Sequence, residues 1–241
     1  MNLPVLVLLL GLVAPGADRL ALLRRADVGA GTPASFRAEV SIALRGAAGA
    51  RIEIWRAGDA RMLVRFLDEK QRGKYLLYDD SGVWFLSPSA KPVRLPRAYR
   101  LRGSITLDDI LGRRYSTDYS ILSTQERAED GQRLVVYDLR AVSPALPYPR
   151  VLYAVREDTA RPVWAVFHLR SGRRASVLSF EEWAAGSHSP RPRRLSLRDE
   201  LRGGEVTEVE VQTLEERDVP AGLLLRDDPT ERRRLEAAPP R

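Results

Sequence analysis

Hydrophobic and polar positions alternate most cleanly along Ser35–Leu44. Phe36, Ala38, Val40, Ile42 and Leu44 fall on one side, and Ser35, Arg37, Glu39 and Ser41 on the other. A pleated strand points successive side chains to opposite faces, and burial of one face of an antiparallel sheet asks for this pattern. The same period runs through Arg61–Phe66, with Met62, Val64 and Phe66 together. Gln71-Arg72-Gly73 reverses the chain into Lys74–Tyr78. Asp79-Asp80-Ser81-Gly82 reverses it again into Val83–Leu86, which Pro88 ends. These segments predict an antiparallel meander, extended upstream by Arg51–Arg56. Strand-like runs at Thr117–Arg127, Gln132–Ala141, Arg150–Arg156, Pro162–Leu169, Ala175–Trp183 and Glu205–Leu214 continue it, with Asp130-Gly131 marking a hairpin.

Helical spacing is confined to short pieces. Asp18–Asp27 predicts a short helix with an acid at its start and Leu20 and Leu23 on one side. Thr106–Leu111 predicts one or two turns, capped by Thr106 and closed by Gly112. Lys91–Arg102, interrupted by Pro92 and Pro96, reads as a basic connection, and His188–Arg194 as a loop. From Asp227 onward apolar residues are too few for a core, so 227–241 is expected to be a disordered basic tail. About ten strands against two or three short helices, without a long linker or an internal repeat, make one mainly β domain. A chain of 241 residues is long enough to bury its own core.

The first sixteen residues are a different material. Met1–Gly16 carries no charged side chain, and Val5–Val13 is an apolar run of the length of a signal-peptide core. It is too short to span a bilayer as a helix. Ala14-Pro15-Gly16 places small residues where a signal peptidase reads. Residues 1–16 are therefore expected to be a cleaved signal peptide, and 17–226 the exported β domain.

Composition then narrows the chemistry. The absence of cysteine excludes a disulfide framework, a thiol nucleophile, thiolate metal sites and a lipid-anchored N-terminal cysteine. Two isolated histidines, His168 and His188, do not make a closed zinc site. Neither a Gly-x-Ser-x-Gly elbow nor a phosphate loop is present. Gly29-x-Gly31-x-x-Ala34 formally matches a dinucleotide fingerprint, but a helix precedes it, a strand follows and Pro33 interrupts it. Asp79-Asp80 and Asp108-Asp109 stand where turns and helix starts favour acids anyway. The reading is of a protein that is not an enzyme, with no catalytic residue, metal site or cofactor. The net charge of +7 is almost all arginine, interleaved with acids. The clusters Arg191-Pro192-Arg193-Arg194 and Arg232-Arg233-Arg234 lack the interleaved aromatics of a stacking platform, so no nucleic-acid partner is expected.

What remains is apolar surface. Trp55, Trp84, Trp164 and Trp183 lie in four different strands. A single large sheet with so few helices must close on itself, meet a second sheet, or leave an apolar cavity that accepts a ligand.

The ordered series Arg65-Phe66, Arg72-Gly73-Lys74-x-Leu76-Leu77 and Trp84-x-x-x-Pro88, continued by Arg94-Leu95 and Gly103-Ser104-x-x-x-Asp108-Asp109, resembles the outer-membrane lipoprotein-sorting proteins, the LolA/LolB-like family. The resemblance covers residues 35–225 and is fainter in Tyr153-Ala154-Val155, Pro162 and Glu205-x-Thr207. Tyr153-Ala154-Val155-Arg156 stands where the family has a tryptophan and an acid, and an aromatic expected near Leu224 is missing. The resemblance implies an incomplete, half-open antiparallel β-barrel around an apolar cavity for acyl chains, its open side covered by short lid helices. Asp18–Ala26 and Thr106–Leu111 are the lid candidates. On this sequence the cavity maps to Phe36, Val40, Ile42, Ile54, Val64, Phe66, Leu77 and Trp84 as ligand-binding residues, with Arg37, Glu39 and Arg65 facing solvent. The implied function is a periplasmic carrier shuttling acylated lipoproteins or lipids toward the outer membrane. The alternative is a lipid-binding or sensing accessory module that does not transport but docks on a membrane exporter or signalling protein. Expected partners are the acylated cargo and an inner-membrane transporter, with transient membrane contact by a monomer.

Overall fold

The computed structural model describes residues 15–27, 33–45, 47, 49–58, 61–96, 99–106, 109–110, 113–129, 131–144, 146–183 and 191–237. The expected signal-peptide core, the Gly29–Gly31 fingerprint and His188 lie outside the described residues. Helix α1 (Pro15–Ala26) comes first, so the expected cleavage after Gly16 would fall in its first turn.

Six strands then run as one meander: β1 (Ser35–Leu44), β2 (Ala50–Ala57), β3 (Arg61–Phe66), β4 (Tyr75–Asp79), β5 (Gly82–Ser87) and β6 (Ala90–Leu95). A small hairpin, β7 (Arg100–Arg102) and β8 (Ile105–Thr106), and one helical turn, α2 (Tyr115–Asp118), follow. A second meander comprises β9 (Tyr119–Glu129), β10 (Gln132–Ala141), β11 (Arg150–Arg156), β12 (Pro162–His168), β13 (Arg174–Trp183), β14 (Pro192–Asp199) and β15 (Glu205–Glu216). The last described elements are a 3-10 turn at Ala221–Leu224 and helix α3 (Thr230–Ala237).

The two meanders make one antiparallel sheet of 13 strands, because β1 pairs with β15 at its centre. Its outer strands are β6 and β9, which do not pair with each other, so the sheet is not closed into a barrel. The expected mainly β, antiparallel architecture with few helices holds, while the count of about ten strands is corrected to 13 in a sheet that is not closed into a barrel. Two of the unforeseen strands carry prolines. Pro92 is tolerated because β6 is an edge strand, and Pro192 because it opens β14, positions at which a missing donor breaks no ladder. β14 begins inside the segment read as a loop, His188–Arg194, and just beyond it Leu195 and Leu197 are buried between polar neighbours, a short but regular alternation.

Register assigns each residue a face. Phe36, Ala38, Val40 and Ile42 of β1 share a side with Ile52 and Ile54 of β2, Met62, Val64 and Phe66 of β3, and Leu76 of β4. Across the central pair the same side continues through Val209 and Leu197, then to Phe167, Tyr153 and Tyr137. This inner face carries the main core cluster. The connection from edge β6 to edge β9 crosses it and contributes Ile105, Ile110 and Tyr115 to the same cluster, and α1 adds Leu22, Leu23 and Ala26.

The outer face of the first meander is also covered. Trp55, Leu63, Tyr75, Leu77 and Leu86 pack with Leu223, Leu224, Val219 and Leu235 of the C-terminal segment. The expected disordered tail is therefore corrected: residues 230–237 form α3, docked on the sheet. Its few apolar residues suffice because polar groups do most of the docking. Glu236 accepts hydrogen bonds from Arg65 (2.8 Å) and from the Tyr75 hydroxyl (2.7 Å). The buried Arg232 guanidinium donates to the carbonyls of Leu223, Leu225 and Arg226.

Candidate functional site: the covered inner face

Six of the eight residues assigned to the cavity, Phe36, Val40, Ile42, Ile54, Val64 and Phe66, come together on the inner face. The first five are at most 2 % exposed and Phe66 is partly buried. Leu77 and Trp84 do not join them. They pair with each other across β4 and β5 and point to the outer face, in the cluster under the C-terminal segment. The reason is visible in the residues. Tyr75–Tyr78 and Val83–Leu86 are apolar on both sides, so period-two alternation cannot choose a face for them.

Arg37, Glu39 and Arg65 are on the outer face as expected, but they do not simply face solvent. Glu53, 2 % exposed, accepts hydrogen bonds from Arg37 (2.6 Å), the Trp55 indole (2.8 Å) and Arg65 (3.4 Å). Arg37 also pairs with Glu39 at 2.6 Å. A carboxylate this deeply buried needs such partners, since an unpaired charge there would cost several kcal/mol.

Two elements roof the inner face. Helix α1 turns Leu22, Leu23 and Ala26 onto it. Its polar ties run to the second meander. The Tyr137 hydroxyl donates to the Arg19 carbonyl (2.8 Å) and the Tyr153 hydroxyl to that of Ala26 (3.0 Å). Arg19 pairs with Glu157 at 2.9 Å and with Glu126. The Asp27 carboxylate accepts from the backbone N–H and the hydroxyl of Ser116, just inside α2. Among the described residues these ties run to the second meander and to α2, while Leu22, Leu23 and Ala26 join the core cluster that spans both halves of the inner face.

The second roof is the connection between the sheet edges. Gly103 has φ +54°, and a Cβ there would meet Leu44 Cδ2 at 2.7 Å as well as the Thr207 hydroxyl. Glycine is what lets this backbone lie flat on β1 and β15. Ser104 donates to the buried Asp199. Asp109 accepts from the Thr106 N–H (2.9 Å) and hydroxyl (2.7 Å), and its other oxygen holds Arg113 at 2.9 Å. The Arg113 guanidinium lies 5.4 Å from the Tyr148 ring centre and 5.3 Å from that of Phe167, a favourable cation–aromatic distance. Thr106, predicted to cap a helix as an acceptor, instead donates through both its N–H and its hydroxyl to Asp109 and ends strand β8. Residues 107, 108, 111 and 112 lie outside the described residues.

Tyrosines line the seam between roof and sheet. Tyr115 stacks on Tyr153 with ring centres 4.1 Å apart. Burial pushes the Tyr137 phenol up to about 12, and raises Tyr115 and Tyr153 further, so all three keep their protons. Asp27 is raised from its ordinary value mainly by burial, with Ser116 pulling it the other way. Sequence reasoning missed Tyr115, Tyr137, Ser116 and Arg113. Tyr137 and Tyr153 occupy inner-face register positions, and that placement is the signal that could have found them. His168 is buried beside Arg150 and Arg174, and burial lowers its pKa, which keeps it neutral.

The arrangement is a broad apolar surface under a cover attached by a handful of directional bonds. A family model described as a like-family of "Uncharacterized protein" matches residues 58–223. A LolA superfamily protein of Nitrosomonas europaea superposes at TM-score 0.74 with 26% identity, over 86% of this chain and 97% of that one. The chain belongs to the matched family, and it is LolA/LolB-like. An outer membrane lipoprotein-sorting protein domain of Vibrio parahaemolyticus shares the LolA-like fold at TM-score 0.69 and 15% identity, over 90% of this chain and 97% of that one. A DUF1329 family protein of Desulfovibrio piger does so at TM-score 0.73 and 17% identity, over 87% and 96%. None of the curated proteins searched matches.

Proposed function

We propose that this LolA-like protein is a periplasmic carrier. It holds the acyl chains of lipoproteins or lipids against the inner face and moves them toward the outer membrane, binding rather than catalysing. The observation that carries this reading is the make-up of the cover. α1 and the described residues of the β6–β9 connection bury an inner face of Phe36, Val40, Ile42, Ile54 and Val64, and among the described residues the polar ties of α1 run to the second meander and to α2. Each buried CH₂ of an acyl chain is worth about 0.8 kcal/mol, so a chain entering this face can replace the contacts that α1 gives up. Export through a cleaved segment 1–16, receipt of cargo from an inner-membrane transporter, transient membrane contact and a monomeric state belong to the same proposal.

Native mass spectrometry of protein recovered from the periplasm tests it. Bound acylated mass is expected, and it should fall away when Phe66 becomes Ala. A bare chain that also fails to take up a fluorescent acylated peptide would overturn the carrier. The second reading is an accessory module that senses lipid without moving it. It is favoured by the near-complete burial of the inner face by the protein's own side chains. That module would bind the fluorescent peptide yet not pass it to acceptor membranes.

A further inference from the structure

In the stretch that stands out in the sequence, Arg72-Gly73-Lys74 and Trp84 to Pro88, Phe85 alone packs against the inner cluster, while Trp84 and Leu86 turn to the other side. The stretch borders a cleft of about 450 Å³ on the outer side of the sheet, between β4–β6 and the C-terminal segment. Gly73 has φ +76°, and a Cβ there would press on Pro88 Cγ at 2.9 Å, so the turn closes tightly against the cleft wall. The floor is Leu86, Pro88, Ala90 and Pro92 with Tyr75 at one end, apolar and low in relief. A cavity of this volume with an apolar floor and a few polar groups has the size of a ligand site.

The rim is cationic and held in place. Arg226 stacks on Trp84 at 4.4 Å, and Arg94 lies 6.0 Å from the same ring. Arg232 fixes the loop that presents Arg226 by bonding its carbonyl at 3.1 Å. Arg233 lines the same cleft and is exposed. Two acids also line it. Glu236 is engaged by Arg65 and Tyr75, and Asp227 reaches Arg226 only at 3.4 Å. The balance at the mouth is positive.

Beside the floor runs β6, an edge strand whose backbone pairs on one side only and whose Ala90 and Pro92 line the cleft. Edge backbone groups can hydrogen-bond an extended chain, which a lipid tail cannot do. We infer that the cleft and the β6 edge dock an extended acidic segment of a partner protein, whose carboxylates meet Arg94, Arg226 and Arg233 while an apolar side chain enters the floor. This face is opposite the one proposed for acyl chains, so a docked partner and a bound cargo need not compete.

The test pans a displayed random octapeptide library on the full chain and measures selected peptides by fluorescence anisotropy. Enrichment in Asp and Glu beside an apolar residue is expected, with binding weakened by added salt. The double variant Arg226→Glu, Arg233→Glu should bind at least about tenfold more weakly, about 1.4 kcal/mol. Ala90→Trp, which fills the floor from an exposed position, should do the same and decides the matter if the double variant does not fold. Phe66→Ala, on the inner face, should leave peptide binding unchanged, which keeps this test separate from that of the carrier. Absence of acidic enrichment, or equal binding by Ala90→Trp, would overturn the inference. So would co-sedimentation with phosphatidylglycerol vesicles that depends on Arg226 and Arg233 without any peptide enrichment.

Discussion

Replacing Tyr153 by Phe isolates one bond between cover and sheet. The Tyr153 ring is fully buried, stacks on Tyr115, and would be retained by the substitution. What disappears is the 3.0 Å hydrogen bond to the Ala26 carbonyl at the end of α1. Ala26 is 1% exposed, so its carbonyl would be left without a partner in the closed form but would find water in the open one. A buried acceptor stranded in this way costs about 1–3 kcal/mol. Because the penalty falls on the closed form alone, the closed-to-open ratio should drop by about 5- to 150-fold. Amide hydrogen exchange followed by mass spectrometry reads this directly. Exchange in 18–27 should accelerate by that factor while β10 and β11 keep their protection. Tyr119→Phe is the control, since its hydroxyl bonds the Tyr148 carbonyl at 3.2 Å and leaves α1 alone. If α1 and the strands accelerate together, the helix unfolds with the core and is not a separable cover. If α1 does not change at all, the bond is not what holds it.

Three further outcomes follow from other parts of the structure. Asp27 is raised from its ordinary value of 3.8 by burial, so the closed form binds the proton more tightly than the open or unfolded one. Its contribution is therefore largest below the ordinary value and is lost as pH rises through the raised one; Asp27→Asn should flatten that part of a stability-versus-pH curve measured by urea unfolding. Gly103→Ala should cost at least about 1 kcal/mol in the same assay, because the backbone there is left-handed and a Cβ would collide with Leu44 and Thr207. Glu53→Ala removes the acceptor shared by Arg37, Trp55 and Arg65 and should cost about 3 kcal/mol, with a change in tryptophan fluorescence from Trp55.

How far the sequence revealed the fold depended on how many faces of each strand are buried. β1 is packed on one side, and its alternation fixed the placement of Phe36, Val40 and Ile42. β4 and β5 are packed on both sides, and there Leu77 and Trp84 were assigned to the wrong one. The second packing partner is a C-terminal segment whose composition is that of a solvated tail. α3 contains Leu235 as its partly buried hydrophobic contact, and its docking through Glu236 and Arg232 leaves no trace in hydrophobic periodicity. Pro92 and Pro192 hide β6 and the start of β14, because proline breaks a central strand but is tolerated at an edge and at a first residue. The polar seam of the cover was illegible for a different reason. Tyr137, Tyr153 and Asp27 are distant in sequence from Arg19, Ala26 and Ser116 respectively, or belong to separate elements, and only the register of the second meander brings them together.

The two faces of the first meander are covered in opposite ways, and this bears on what each cover can do. On the inner side α1 buries leucines, with bonds gathered at the second meander, so lifting it exposes a large apolar surface at a substantial cost. Fully burying a leucine is worth about 1.5–3 kcal/mol, and Leu22 and Leu23 are both buried. Such a cover opens only when something apolar takes its place, which suits a cargo of acyl chains and disfavours idle opening in water. On the outer side α3 is held by Glu236 and Arg232, groups that water can also satisfy, and the cleft beside it is already open without any movement. An extended acidic segment could enter that cleft while α1 stays closed. A carrier built on this sheet could therefore meet its partner before it releases its cargo, with the order set by which face requires displacement.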